Sequence, residues 1–174
     1  MCFRKCGWLV EEVKNRIRDG GKKKYKKVLV PLDGSDLAEC TLSHLKSLFK
    51  DGSVGEVTLL NIVTIDIPWG VLESGHFNLD ALREPVFASS RKYLAEVESR
   101  LSSQGIKVKT ESVEANRPAD TITDYAQKNG MELIIMGTHG YTGFKKLMLG
   151  SVASGVLNQS AVPVLLIRPE ACRL

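Results

Sequence analysis

Short apolar runs alternate with amphipathic stretches along most of the chain. Lys26 to Leu32 (KKVLVPL) is a β-branched run closed by Asp33-Gly34-Ser35-Asp36, which supplies both a turn and a helix cap, so a strand feeds a helix. From Leu37 the apolar positions Leu37, Ala38, Leu42, Leu45, Leu48 and Phe49 keep close to a 3.6-residue period, until Asp51-Gly52 stops the helix. Val57 to Ile65 (VTLLNIVTI) is apolar almost without alternation, the pattern of a strand covered on both faces. Asp66 to Asn78, with Pro68, Gly70 and Gly75, reads as a long loop. Leu79 to Leu101 reads as a second helix striped by Val86, Tyr93, Leu94, Val97 and Leu101, with Pro85 disturbing its first turns. Ile106 to Val113 alternates and predicts an edge strand.

Arg117-Pro118 opens a third helix, with Ile122, Tyr125 and Ala126 facing inward and Asn129-Gly130 ending it. Leu133 to Met136 is a fourth strand. A glycine-rich segment, a helix from about Ser151 to Gln159 and a last strand from Val162 to Ile167 follow. The order βαβαβαβαβ predicts an α/β fold, a doubly wound three-layer sandwich with a five-stranded parallel sheet over residues 26–170. Ligands of such sheets sit beyond the strand carboxyl ends where the strand order reverses, which directs attention to the ends of strands one and four.

The segment Met136 to Val152 reads MGTHGYTGFKKLMLGSV. Glycines after a strand and before a helix let backbone amides come close to a ligand and take up positive φ, so that N–H groups converge on phosphate oxygens. The amides of Ser151 and Val152 would point at an anion at the helix N-terminus, the Ser151 hydroxyl can donate to a terminal phosphate, and Lys145 and Lys146 can neutralise charge. The plainer reading is that the glycines end a strand and Ser151 caps a helix, but Gly137-x2-Gly140-x9-Gly150-Ser151 between strand and helix is more specific than that. It is not a Walker A loop, since no Gly-Lys-Ser/Thr follows at the required spacing. Asp33-Gly34-Ser35-Asp36 would repel a pyrophosphate, which leaves Asp33 to receive hydrogen bonds from ribose hydroxyls or an adenine amino group, or else to serve the turn. His139 lacks an orienting carboxylate and reads as a polar loop residue, with His44 as a surface helix residue and His76 as a loop residue; no catalytic grouping emerges.

Charge adds a separate piece. Of 174 residues, the first 27 hold ten basic groups against three acidic ones, and the rest hold 14 against 17. The basic balance therefore belongs to a leader, residues 1–25, and not to the body. With 6% aromatic residues and no basic face in the body, a nucleic-acid partner is not expected. Trp8, Leu9, Val13 and Ile17 share a helical stripe in the leader, but a soluble extension is favoured over membrane contact. No apolar run is long enough to span a bilayer or to serve as a signal peptide, and Cys2, Cys6, Cys40 and Cys172 are too scattered for a disulfide scaffold. A cytoplasmic protein with free thiols is the expectation.

The run Val28 to Ser35, the strand ending Leu60-Asn61-Ile62-Val63, and above all the glycine motif resemble the universal stress protein family from about Lys26 through Pro169, including the ending SAVPVLLI. The resemblance implies a cytoplasmic homodimer that binds ATP, with Mg2+ or Mn2+ bridging the phosphates and the last strand pairing at the dimer interface. It implies that Pro31, Leu32 and Asp33 line the adenine and ribose side and that Ile62 packs on the base. Met136 and Gly137 would close the ribose side, with Gly140, Gly150, Ser151 and Val152 around the phosphates. Two positions depart from the pattern: Asn61 stands where many relatives carry His, and Tyr141 where many carry Arg.

The function expected is that of an ATP-binding stress-response or signalling module, acting through nucleotide-dependent conformation or partner binding with at most slow hydrolysis. Two alternatives stand beside it: a phosphotransferase or nucleotide hydrolase using the same loop, and a nucleotide-free interaction protein. A phosphoacceptor receiver domain is set aside, because the third strand runs into Glu114-Ala115-Asn116 and the fifth ends Arg168-Pro169.

Overall fold

A computed structural model describes residues 24–65, 78–138 and 149–168. Five strands, β1 (Tyr25–Pro31), β2 (Val54–Val63), β3 (Lys107–Glu114), β4 (Leu133–Gly137) and β5 (Val164–Ile167), form one sheet in the order β3-β2-β1-β4-β5. Every neighbouring pair is parallel. The helices are α1 (Asp36–Glu39), α2 (Thr41–Lys50), α3 (Leu79–Ser102), α4 (Pro118–Lys128) and α5 (Ser151–Gln159).

Successive side chains of a strand point to opposite faces, and here each face has its own core. Val28, Val30, Leu59, Leu133 and Ile135 pack with Leu42 and Leu45 of α2 and with Leu94, Val97 and Leu101 of α3. Leu29, Leu60, Ile134 and Met136 pack on the other side with Ile122 and Ala126 of α4 and Ala153 and Val156 of α5. The expected three-layer, doubly wound sheet is therefore the one observed.

The chain winds outward from β1 to β3 on one side, then returns to lay β4 and β5 on the other. β1 pairs with β4 only at Val28–Leu133 and Leu29–Ile134. Beyond those residues the two strands part, and a crevice opens at their carboxyl ends.

Differences from the sequence reading are local. The helix expected from Leu37 is interrupted at Cys40, beside which the buried Thr41 hydroxyl donates to the Ala38 carbonyl at 2.7 Å. Hydrophobic periodicity runs straight across this break, because the Cys40 backbone remains right-handed (φ −59°, ψ −23°). Cys40, expected as a free thiol, is disulfide-bonded, with its partner outside the described residues. Pro85 does not delay α3: Asn78 caps it by accepting from the amides of Asp80 and Ala81, and the proline itself sits on an exposed turn. His44 is partly buried, not a surface residue, and its Nε2 has no partner among the described residues.

β3 is an edge, as its alternation predicts. Lys107 and Lys109 project from it and both grip Glu56 of β2, at 2.7 and 2.8 Å. Lysines on an edge strand also discourage pairing with another chain. Among the described residues, no helix is long and apolar enough to cross a membrane.

Candidate functional site

The crevice between the ends of β1 and β4 widens into a cavity of about 430 Å3. One wall comes from the β1 end and the strand beside it: Pro31, Leu32 and Asp33, with Leu60, Ile62 and Thr64. Leu32 is held against β2 by its amide, which donates to the Leu60 carbonyl at 2.8 Å. Gly34 then reverses the chain with φ +82°, a conformation that only glycine adopts cheaply. Ser35 uses its hydroxyl twice, donating to Asp33 Oδ1 at 2.6 Å and accepting from the Ala38 amide at 3.1 Å as the cap of α1. The carboxylate of Asp33 is thereby oriented at the cavity edge, while Ser35 takes the capping role that the sequence left open among Asp33, Ser35 and Asp36.

The opposite wall comes from Met136, Gly137 and Thr138 at the end of β4 and from Gly150 to Ala153 at the start of α5. Gly150 is the cap residue of that helix, and having no side chain it cannot satisfy the first-turn amides. Its own amide donates to the Thr138 carbonyl at 2.8 Å, and its carbonyl receives the first helical bond from Ser154. The amides of Ser151 and Val152 thus stand at an uncapped helix start beside the cavity. Such an end attracts negative charge. Neither Gly137 nor Gly150 has positive φ, and Gly150 is extended at φ −66°, ψ 157°, so the expectation of left-handed backbone is corrected at both. What glycine supplies at these two positions is the absence of a side chain in the cavity wall.

A third wall was not singled out in the sequence. Pro118 and Ile122 of α4 line the cavity, along with Ala38 of α1. Their pattern is that of ordinary core positions, and nothing in a periodicity separates a residue facing a cavity from one facing a neighbour. α4 reaches this position because it lies unusually close to α5: a Cβ on Gly155 would come within 2.6 Å of the Ala119 Cβ.

Of the ten candidate binding residues, Pro31, Leu32, Asp33, Ile62, Met136, Gly137, Gly150, Ser151 and Val152 all line this one cavity. Gly140 lies outside the described residues, as do His139, Tyr141, Lys145, Lys146, His76, Cys2, Cys6, Cys172 and the amphipathic stripe of the leader. The lining combines two chemistries: Pro31, Leu60, Ile62, Ile122 and Met136 offer apolar surface, and Ser151 and the helix amides offer donors.

Asp33 is the charged side chain among the described lining residues. No three of His, Cys, Asp and Glu gather among the described residues. Tyr93 of α3 is not a candidate base: burial first, and then the Glu39 carboxylate, hold its hydroxyl well above the ordinary tyrosine range. A second cavity of about 410 Å3 lies between α4 and the end of α5, away from the strand ends. Its lining is nearly all polar, with Arg117 paired to Asp120 at 2.7 Å, and it offers little apolar surface to hold a ligand.

Comparison with known proteins places residues 24–168 within the model of the universal stress protein family. The chain is 32% identical over 154 residues to universal stress protein MJ0531 of Methanocaldococcus jannaschii, covering 88% of each chain. It superposes on the solved structure of MJ0577 from the same organism with a TM-score of 0.70 and 33% identity, over 83% of this chain and 96% of that one. A more distant structure, a universal stress protein family protein of Arabidopsis thaliana with AMP bound, shares the fold at a TM-score of 0.59 and 14% identity, over 82% of this chain and 91% of that one.

Proposed function

The chain belongs to the universal stress protein family, and we propose that within it this protein is an adenine-nucleotide-binding module whose ligand lies in the β1–β4 cavity. The observation that carries this reading is the pairing of an apolar slot with an uncapped helix start in a single cavity. A purine needs flat apolar walls, and Pro31, Ile62 and Met136 supply them. Ribose hydroxyls need an acceptor, and Asp33 is held in place by Ser35 for that role. Phosphate oxygens need donors without bulk, which the Ser151 and Val152 amides and the Ser151 hydroxyl provide. Gly140 belongs to the same phosphate side in this reading. The AMP complex of the Arabidopsis relative supports the ligand class.

ATP is the ligand we propose, with Mg2+ or Mn2+ carried on its phosphates. The described lining offers the metal no cluster of carboxylates, so the phosphates and water would be its main ligands. Hydrolysis, in this reading, is at most slow. The output is a change of conformation or partner. β5 is an edge strand with Val164, Leu165 and Leu166 only partly covered, which supports pairing with a second copy in a homodimer.

Denaturing freshly purified protein and identifying the released small molecules by mass spectrometry tests the ligand. An adenine nucleotide at near one per chain supports the reading and excludes the nucleotide-free interaction protein. Steady phosphate release from ATP that is lost in Ser151→Ala or Asp33→Ala would instead favour a hydrolase or phosphotransferase.

A further inference from the structure

Behind the cavity, on the far face of the sheet, a chain of polar side chains crosses an otherwise apolar layer. Asn61 of β2 points away from the cavity, since its neighbours Leu60 and Ile62 point into it. Its Nδ2 donates to the Leu32 carbonyl at 2.7 Å. Its Oδ1 accepts from the hydroxyl of Ser90 of α3 at 2.6 Å. Ser90 Oγ lies 2.7 Å from Ser112 Oγ, and Ser112 is the β3 residue registered opposite Asn61. Ser90 has one proton and gives it to Asn61, so the Ser112 hydroxyl must donate to Ser90. Every bond in the row then has one direction, from Ser112 to Ser90 to Asn61 to Leu32. The amide cannot turn over, because its oxygen would then face the Leu32 carbonyl.

Leu32 is the last residue before Asp33 and lies one step beyond the final paired residue of β1, Pro31. Its amide is held by the Leu60 main chain, and its carbonyl by a side chain. The turn that presents Asp33 to the cavity thus hangs from a point fixed on both polar groups, and the second fixing is made by Asn61.

We propose that Asn61, oriented by Ser90 and Ser112, is a positioning residue for the nucleoside side of the site, setting the turn that carries Asp33 without touching the ligand. This rests on the reading of the cavity as a nucleotide site. Loss of the Asn61 donor should weaken every ligand that uses the nucleoside side by one common factor, and should leave the phosphate side alone.

The test uses the full chain at pH 8, with calorimetric titration of ATP plus Mg2+ and of adenosine, and with amide hydrogen exchange of residues 33–35 in ligand-free protein. Asn61→Asp keeps the shape and still accepts from Ser90, but it places an oxygen against the Leu32 carbonyl. It should bind ATP and adenosine each about tenfold more weakly, and the amides of 33–35 should exchange faster. Asn61→Leu should do the same, and Ser90→Ala, which removes only the orienting bond, should cost about threefold. Val97→Ala, a cavity in the same helix two turns away, should lower Tm without changing either affinity or the exchange of residues 33–35. Affinities and exchange in the Asn61 variants equal to wild type would overturn the proposal, as would an equal loss in Val97→Ala. Wild-type protein that binds neither ligand would overturn the nucleotide reading instead, and amide exchange would still decide whether Asn61 sets the turn.

Discussion

The amide of Gly150 donates to the carbonyl of Thr138 at 2.8 Å, holding the start of α5 beside the end of β4 at the cavity mouth. Both residues line the cavity, so the contact joins the carboxyl end of β4 to the helix whose first amides are uncapped. Gly150 has an extended backbone that any residue can adopt, so what it contributes to the cavity wall is the absence of a side chain.

Gly150→Val should therefore separate binding from folding. The substitution adds bulk to the cavity wall and a poor cap to α5, costing about 1 kcal/mol in stability. ATP affinity should fall well beyond tenfold, about 1.4 kcal/mol, because the side chain occupies the place of phosphate oxygens. Paired thermal melts and titrations check this.

The close approach of α4 and α5 gives a second prediction. Gly155→Ala puts a methyl 2.6 Å from the Ala119 Cβ and should cost about 1–3 kcal/mol by overpacking, read from denaturant melts. It should also weaken nucleotide binding, since Ile122 and Val152 lie on the two helices forced apart. Adding Ala119→Gly should restore both properties. A double variant as weak as the single one would mean that the contact does not set the helix spacing.

Much of this architecture was legible from the chain. β4 and α5 were readable because a fully apolar run, a glycine motif and a helix start follow one another; that segment holds Met136, Gly137, Gly150, Ser151 and Val152 of the lining, whereas Pro31, Leu32, Asp33 and Ile62 were pointed to by the family resemblance. The helix break at Cys40 was not readable, because Leu37, Ala38, Leu42 and Leu45 keep their period across it. β2 begins at Val54, three residues before the apolar run suggests, because Gly55 packs where a Cβ would meet the Lys26 carbonyl at 2.6 Å. A glycine there looks like a turn in the sequence and is in fact demanded by a close strand. Asn61 was read only as a departure from a family pattern. Its role depends on Ser90 and Ser112, which lie 29 and 51 positions away and become neighbours only in the fold.

Ser35→Ala should destabilise the protein by about 1 kcal/mol through loss of the α1 cap. It should also free one oxygen of Asp33 from its hydroxyl partner and weaken adenosine binding. Calorimetric melting and titration on the same preparation separate the two effects.

Acid stability has a local contributor at Glu56. Hydrogen bonds from Lys107, and then from Lys109, hold its carboxyl at about 2, against an ordinary 4.5. Because the folded value lies below the unfolded one, the contribution is complete above pH 4.5 and is lost as pH falls toward 2. Both lysines are largely exposed, so the whole effect is about 1 kcal/mol or less. Glu56→Gln should flatten the stability profile across that window by this amount and leave nucleotide affinity unchanged; a profile as steep as wild type would assign the slope to other carboxylates.

Titration of the nucleotide-free full chain with ATP and Mg2+ in a calorimeter puts the central claim to the most direct test. The account predicts saturable heat at one nucleotide per chain, abolished by Gly150→Val in protein that still melts cooperatively. No heat from wild-type protein, or the same heat from Gly150→Val, would contradict it.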